Sequence, residues 1–223
     1  VVDLENITQV AYGEEAKLPE ALGGVIRRDP DVIMVDRCPD EKTADLVNRA
    51  ADSKLVLLGL HALDAFSGLA RWVQVCSDAG DAVKNLRGVL CQVLVRKLCP
   101  NCREPYRPDP NVVAKANLSG EKIENFFRPP TREVTDEKGN PISCLACQGT
   151  GYVGRTGAFE LLEVTDDVRQ LVADGATLAE IKAACRKSKM LYIQEQALRK
   201  VIQGVTSVQE VIRVTKPPKK KSS

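Results

Sequence analysis

The 223 residues include 43% hydrophobic and 28% charged side chains, the balance of an ordinary globular protein. A formal charge of +2 excludes an electrostatic argument for nucleic-acid binding, and no apolar run approaches the ~20 residues needed to cross a bilayer. Aromatics make up only 4%, so the core has to be built from Val, Leu, Ile and Ala.

The chain starts with Val rather than Met, which fits a piece of a longer protein. Val1 to Glu5 reads as a short strand carrying the acids Asp3 and Glu5. Leu18 to Arg28 has helical spacing through Leu18, Leu22, Val25 and Ile26, weakened by Gly23-Gly24. After the turn Asp29-Pro30-Asp31 comes Val32-Ile33-Met34-Val35-Asp36. Four apolar residues and then a carboxylate are the pattern of a buried parallel strand delivering an acid to the carboxyl edge of a sheet. In nucleotide hydrolases that edge meets Mg²⁺ or the attacking water, although many strands end in Asp simply for capping.

Asp40 suits the N-cap of a helix over Glu41 to Ala51. Leu55 to Leu60 is a second apolar strand, leading to His61, the only histidine. A lone histidine beside a strand end is more often structural, but sharing an edge with Asp36 strengthens its claim to function. Ala65 to Cys76 and Ala82 to Leu98 read as helices, the second through Leu86, Val89, Leu90, Val93 and Leu94. Alternating strand and helix predict an α/β fold around a parallel, helix-flanked sheet.

Cys99-Pro100-Asn101-Cys102 and Cys144-Leu145-Ala146-Cys147 are two C-x-x-C pairs, the spacing that lets each knuckle offer two thiolates to one tetrahedral Zn²⁺. The 41 residues between Cys102 and Cys144 would form an excursion closed at its base by the metal. Two disulfides or four unligated core cysteines are the alternatives. The absence of a secretory signal favours metal, as does the scatter of Cys38, Cys76, Cys91 and Cys185 through apolar segments. Four thiolates leave zinc no open position, so such a site is structural. Within the excursion, prolines limit the elements to short helices at Asn111 to Asn117 and Glu121 to Phe127, with Phe126-Phe127 as a local core.

Gly149, Gly151, Gly154 and Gly157 do not follow the G-x-x-x-x-G-K-[ST] order, and turn geometry beside the knuckle accounts for them better than a phosphate loop does. Ala158 to Val164 resembles a strand with charges only at Glu160 and Glu163. Helices follow at Asp166 to Ala173, Leu178 to Lys187 and Ile193 to Gln203, with a last short one ending at Val214. Thr177 and Glu180 form a capping box. The basic tail from Lys216 reads as a solvated, disordered end.

These motifs, in this order, resemble the carboxyl-terminal part of the type II secretion and type IV pilus assembly ATPases, a branch of the RecA-like hexamers, over nearly the whole chain. The segment from Arg28 to Val35 resembles the family's Walker B strand, and Leu58 to Ala65 its histidine box. Leu94 to Cys102, with Cys144 and Cys147, resembles the metal motif of the assembly branch. Gly154 to Leu162 and Ala197 to Ser207 resemble the two segments that follow. The departures fall on the chemistry. The Walker A loop is absent and would lie upstream of Val1. Where the family strand runs into Gly-Glu-Ile-Arg-Asp, this chain reads Asp36-Arg37-Cys38-Pro39-Asp40, so Arg37 stands at the catalytic acid's place. Asp36, displaced by one residue, should point to the opposite face. Of two expected arginines before Walker B, the first position is Gly23 and Arg27 matches the second.

The resemblance implies a partial RecA-like sheet with flanking helices over residues 1–98. A zinc-clipped tetracysteine subdomain over 99–151, a carboxyl-terminal helical subdomain over 152–214 and a disordered tail over 215–223 complete it. It implies ATPase activity coupled to secretion or pilus assembly, with His61 and Asp36 as the catalytic candidates. Asp3, Glu5, Arg27 and Arg155 would face nucleotide, and Cys99, Cys102, Cys144 and Cys147 would hold structural zinc. ATP and Mg²⁺ would bind only in the longer protein, if at all. A homo-hexamer or mixed hexamer, docked to an inner-membrane platform protein from the cytoplasmic side, is the implied assembly, with no nucleic acid. The Arg37 departure predicts weak or absent hydrolysis. An active ATPase completed by an upstream Walker A and an inactive zinc-stabilised scaffold within a mixed or regulatory hexamer are the other readings.

Overall fold

Alternation of buried and exposed residues marks the first strand: Ile33 and Val35 enter a core while Val32 and Met34 face out. In the computed structural model, which describes residues 4–110, 113, 123–131, 134–135 and 141–215, this strand is β1 (Val32–Val35). The chain divides into two compact units, Val1–Val89 with Leu162–Met190 and Leu90–Leu161 with Leu191–Ser223.

In the first unit, a single 3-10 turn at Glu15–Lys17 precedes α1 (Leu18–Ile26). Beyond β1 come α2 (Glu41–Ala51), β2 (Leu55–Leu58), α3 (Ala65–Val75) and α4 (Ala79–Lys84). β1 and β2 pair in parallel, Val32 opposite Leu55 and Val35 opposite Leu58, with α2 as the crossover. Asp40, Asp64 and Asp78 each cap the helix that follows by accepting a backbone N–H three residues on. Leu18, Leu22, Ile33, Val35, Val47 and Trp72 form the core, and the Trp72 indole N–H donates to the Ala82 carbonyl at 2.7 Å. The later part of the chain adds α5 (Asp166–Ala173) and α6 (Leu178–Lys187). From α5, the Arg169 guanidinium donates to the carbonyls of Val83 and Lys84, which end α4, and of Leu86 just beyond it.

The stretch 82–98, expected as one helix, stops at Lys84 and resumes as an eleven-residue strand, β3 (Gly88–Leu98). Val89, Cys91, Val93 and Val95 are the more buried positions and alternate with exposed Leu90, Gln92 and Leu94. The same apolar residues satisfy a period of 3.6 as well as one of 2, and the β-branched valines decide for the strand.

The excursion contributes β4 (Glu104–Tyr106) and β5 (Phe126–Arg128), antiparallel to each other, and the short pair β6 (Val134–Thr135) and β7 (Pro141–Ile142). The end of the expected helix 121–127 is therefore a strand at Phe126, and most of the expected helix 111–117 lies outside the described residues. Val1 to Asp3 also lie outside them, and Leu4 and Glu5 are not in a strand.

β8 (Tyr152–Glu163) starts six residues earlier than the sequence predicts and pairs with β3, so Gly154 and Gly157 lie in a strand rather than in a turn. The second unit closes with α7 (Ile193–Ile202) and α8 (Val208–Thr215). Its core is Phe126, Ala158, Ile193, Ala197, Val201 and Val211, with the Tyr106 ring edge-on to Phe126. Two carboxylates are buried there. Glu160 accepts the Ile193 N–H at the start of α7 at 2.6 Å, and Glu210 is clamped by Arg96 and Arg213.

Among the described residues no helix is long and apolar enough to cross a membrane.

Candidate functional site

The candidate metal centre begins where β3 ends. The Cys99 N–H donates to the Gly151 carbonyl at 2.9 Å, and the Arg103 N–H turns back to the Cys99 carbonyl at 3.1 Å. The second knuckle repeats the turn, with Cys147 N–H to Cys144 carbonyl at 3.3 Å and Thr150 N–H to Cys147 carbonyl at 3.1 Å. Gly151 sits at φ +75°, and a Cβ there would come within 2.5 Å of Pro129 Cβ, so only glycine lets the two knuckles close. The four Sγ atoms lie within 4.8 Å of one another, Cys99 to Cys144 at 3.9 Å and Cys102 to Cys147 at 3.7 Å.

A tetrahedral ion with Zn–S bonds of about 2.3 Å sets its sulfurs about 3.8 Å apart. Disulfide sulfurs would stand at about 2.05 Å, so the observed spacing fits a shared metal and not covalent pairs. Burial works against a charge on Cys147, but the Gly151 N–H at 3.3 Å and the neighbouring thiols bring it down to about 7. Burial and the same neighbours push Cys102 upward. Cys38, driven to about 11 by burial and then by Cys76, is a core residue outside this chemistry, as are Cys76 and Cys185, both raised by burial.

The second constellation lies at the carboxyl edge of β1 and β2. Because Val35 pairs with Leu58, Asp36 and Gly59 leave the sheet side by side. The Gly59 N–H donates to the Val35 carbonyl at 2.8 Å, and a Cβ on Gly59 would fall 2.2 Å from the Asp36 carbonyl oxygen. Asp36 is exposed on the face opposite Val35, as strand alternation requires. Both its oxygens have partners. The Tyr12 hydroxyl donates to its two oxygens at 2.9 and 3.0 Å, and Arg37 Nε donates to one at 3.1 Å. Arg37 Nη1 meanwhile donates to Glu15 at 2.7 Å. Those two partners, Glu15 first, raise the Arg37 pKa, and partial burial followed by the Asp36 bond raises that of the Tyr12 phenol.

Tyr12 also borders a cavity of about 360 Å³ lined by Lys17, Gly24, Arg27 and Arg28. The Arg27 guanidinium lies along the glycine surface of α1, 3.6 Å from where a Gly23 side chain would begin. Among the described residues neither Arg27 nor Arg28 has an ion-pair partner. A cavity rimmed by three cations and one carboxylate, Glu20, suits an anionic ligand.

The family model for type II/IV secretion system proteins matches residues 2–213. The chain belongs to this family. Among its relatives, the type IV pilus assembly ATPase PilB of Thermus thermophilus is 34% identical over 94% of this chain and 23% of its own length. Type II secretion system protein E of Pseudomonas aeruginosa is 36% identical over 96% of this chain and 40% of its own length. The chain thus spans less than half the length of either relative. The α/β fold is shared with the pilus retraction motor PilT with bound ADP, at a TM-score of 0.57 and 19% identity, covering 90% of this chain and 44% of that one. It is shared too with the ATPase DotB of Yersinia pseudotuberculosis, at a TM-score of 0.55 and 17% identity, covering 91% and 41%.

Within this family member the predicted residues are distributed as follows. Asp36 and the segment running to His61 share one strand edge, and the His61 carbonyl accepts from Arg71 at 3.1 Å. Arg27 is joined to that edge through Tyr12, which lines the same cavity and bonds Asp36. Glu5 is exposed in a turn, Arg155 is exposed on β8 in the other unit, and Asp3 lies outside the described residues. Sequence reasoning did not single out Tyr12 and Glu15. They lie in a stretch from Asn6 to Lys17 with no apolar periodicity, and only the fold brings them to Asp36.

Proposed function

We propose that this chain is the carboxyl-terminal portion of a hexameric ATPase serving type II secretion or type IV pilus assembly, with nucleotide hydrolysis weak in this polypeptide. The observation that carries the reading is Arg37. Where a catalytic acid is expected, a guanidinium stands in ion pairs with both neighbouring carboxylates. A guanidinium there has no acceptor with which to take water's proton or hold its O–H, and loss of such a group lowers rates on the order of 10²–10⁴-fold. Asp36, held by Tyr12 and Arg37, is a poor replacement, and His61 is the remaining candidate at the edge.

The cavity bordered by Arg27 supports nucleotide contact in the longer protein, the one setting in which ATP and Mg²⁺ would bind, and Arg155, Asp3 and Glu5 are proposed to face nucleotide on the family resemblance alone. The tetracysteine segment, residues 99–151, is a zinc-clipped subdomain. Zinc held by four thiolates closes the excursion and takes no part in catalysis. Family membership supports the remaining assignments: a homo-hexamer or mixed hexamer, peripheral to the inner membrane on its cytoplasmic face and working on a platform protein.

Phosphate release tests the reading, measured on the longest polypeptide that carries this region and compared with its Arg37→Glu variant. Slow wild-type release that rises in the variant is expected. Fast wild-type turnover, unmoved by the change, would refute weak hydrolysis. Titration with a fluorescent ATP analogue separates the motor from a pure scaffold, which would bind none with or without Mg²⁺.

A further inference from the structure

We propose that Arg37 is a built-in cation: it occupies the position between Glu15 and Asp36, closes the strand-end carboxylate to divalent metal, and ties the segment before α1 onto the end of β1. This rests on the reading above, in which Arg37 replaces an acid, and adds what the arginine does there. The geometry has three parts. The root of the carboxylate is rigid, because Gly59 packs its backbone against the Asp36 carbonyl with no room for a side chain. Both carboxylate oxygens are engaged, sharing the single Tyr12 hydroxyl between them, and one of them also accepts from Arg37. The guanidinium reaches across to Glu15 at 2.7 Å, so one positive charge bridges two carboxylates from different elements, the 3-10 turn and the strand end. A bridging ion would make the same link, with oxygen ligands from the same two side chains.

All three charged side chains are about half exposed, at 54% for Arg37, 57% for Glu15 and 53% for Asp36. Water and ions therefore reach the cluster freely, and what excludes a metal is occupancy by the arginine, not burial. With Arg37 removed, the local charge of the triad changes from −1 to −2 and the two carboxylates lose the cation they share.

Terbium, an oxygen-seeking ion that emits when excited through a nearby tyrosine, reads the site directly. Tyr12, hydrogen-bonded to Asp36, is the built-in sensitiser. The zinc-loaded full chain would be titrated as wild type, as Arg37→Ala, and as Arg37→Ala combined with Asp36→Asn or with Tyr12→Phe. The wild type should show no saturable sensitised emission. Arg37→Ala should gain it, with an apparent affinity at least tenfold tighter than any wild-type signal, and both double variants should lose it. A wild-type signal of equal affinity that Asp36→Asn abolishes would show the carboxylates already open and overturn the proposal. So would an Arg37→Ala variant that keeps the wild-type circular dichroism but binds no terbium. Neither result bears on phosphate release, so failure here is distinguishable from failure of the weak-hydrolysis reading.

Discussion

Replacing Glu210 by Gln should destabilise the second unit by about 3 kcal/mol at neutral pH and remove most of one acid-sensitive contribution to its stability. Glu210, 1% exposed, receives the Arg96 backbone N–H at 2.9 Å. It also receives Arg96 Nε and Nη2 at 2.9 and 2.7 Å, and Arg213 Nε and Nη2 at 2.8 and 2.7 Å. Burial opposes the charge, but Arg213 and Arg96 overcome it and hold the carboxyl at about 2, against an ordinary value of 4.5. That depression corresponds to about 3 kcal/mol in favour of the folded state. Breaking a buried pair typically costs ~3–5 kcal/mol. Because Arg96 and Arg213 remain 41% and 56% exposed, water can still reach them after the change, which places the loss at the lower end. A group with a depressed folded pKa contributes fully above its unfolded value and loses that contribution as pH falls through the folded one. The wild-type advantage should therefore be complete at pH 7 and shrink progressively from pH 4.5 towards 2. Urea unfolding of both proteins across that range measures it, and any loss of metal in acid affects the two alike. An advantage under about 0.5 kcal/mol at pH 7, or one that stays flat below pH 4.5, would refute the clamp.

Two further substitutions probe the first unit. Gly59→Ala sets a methyl 2.2 Å from a backbone oxygen of the paired strand, where no side-chain rotation relieves it, and should cost about 3 kcal/mol or more in thermal unfolding. An unchanged melting temperature would show that the two strands do not approach so closely. Trp72→Phe removes the donor to the buried Ala82 carbonyl and leaves a small void, for a loss of about 2 kcal/mol by urea titration. A loss below about 0.5 kcal/mol would mean that this bond does not anchor α3 to α4.

The α/β class was legible wherever one period alone fitted the residues. β1 and β2 follow from four-residue apolar runs, and α2 and α6 from their caps; the Thr177–Glu180 box forms as expected. The pattern failed between Gly88 and Leu98, where Leu90 and Leu94 satisfy a helix while Val89, Val93 and Val95 satisfy a strand. The β-branched valines tip the balance there, and pairing with β8 completes the strand. The four cysteines were legible because metal geometry is written in local spacing. The Glu210 clamp was not, since Arg96 stands 114 residues away and nothing local to Glu210 marks it for burial. The Tyr12–Asp36 bond, 24 residues apart, is hidden for the same reason. Phe126 was expected to belong to a local core and does, but on a strand and not on a helix.

X-ray absorption at the zinc edge, with metal content measured on the same tag-free protein, tests the metal clip most directly. One zinc per chain with four sulfur neighbours at about 2.3 Å is the predicted result. A protein without zinc whose four thiols all react freely, or a zinc bound through nitrogen or oxygen, would contradict it.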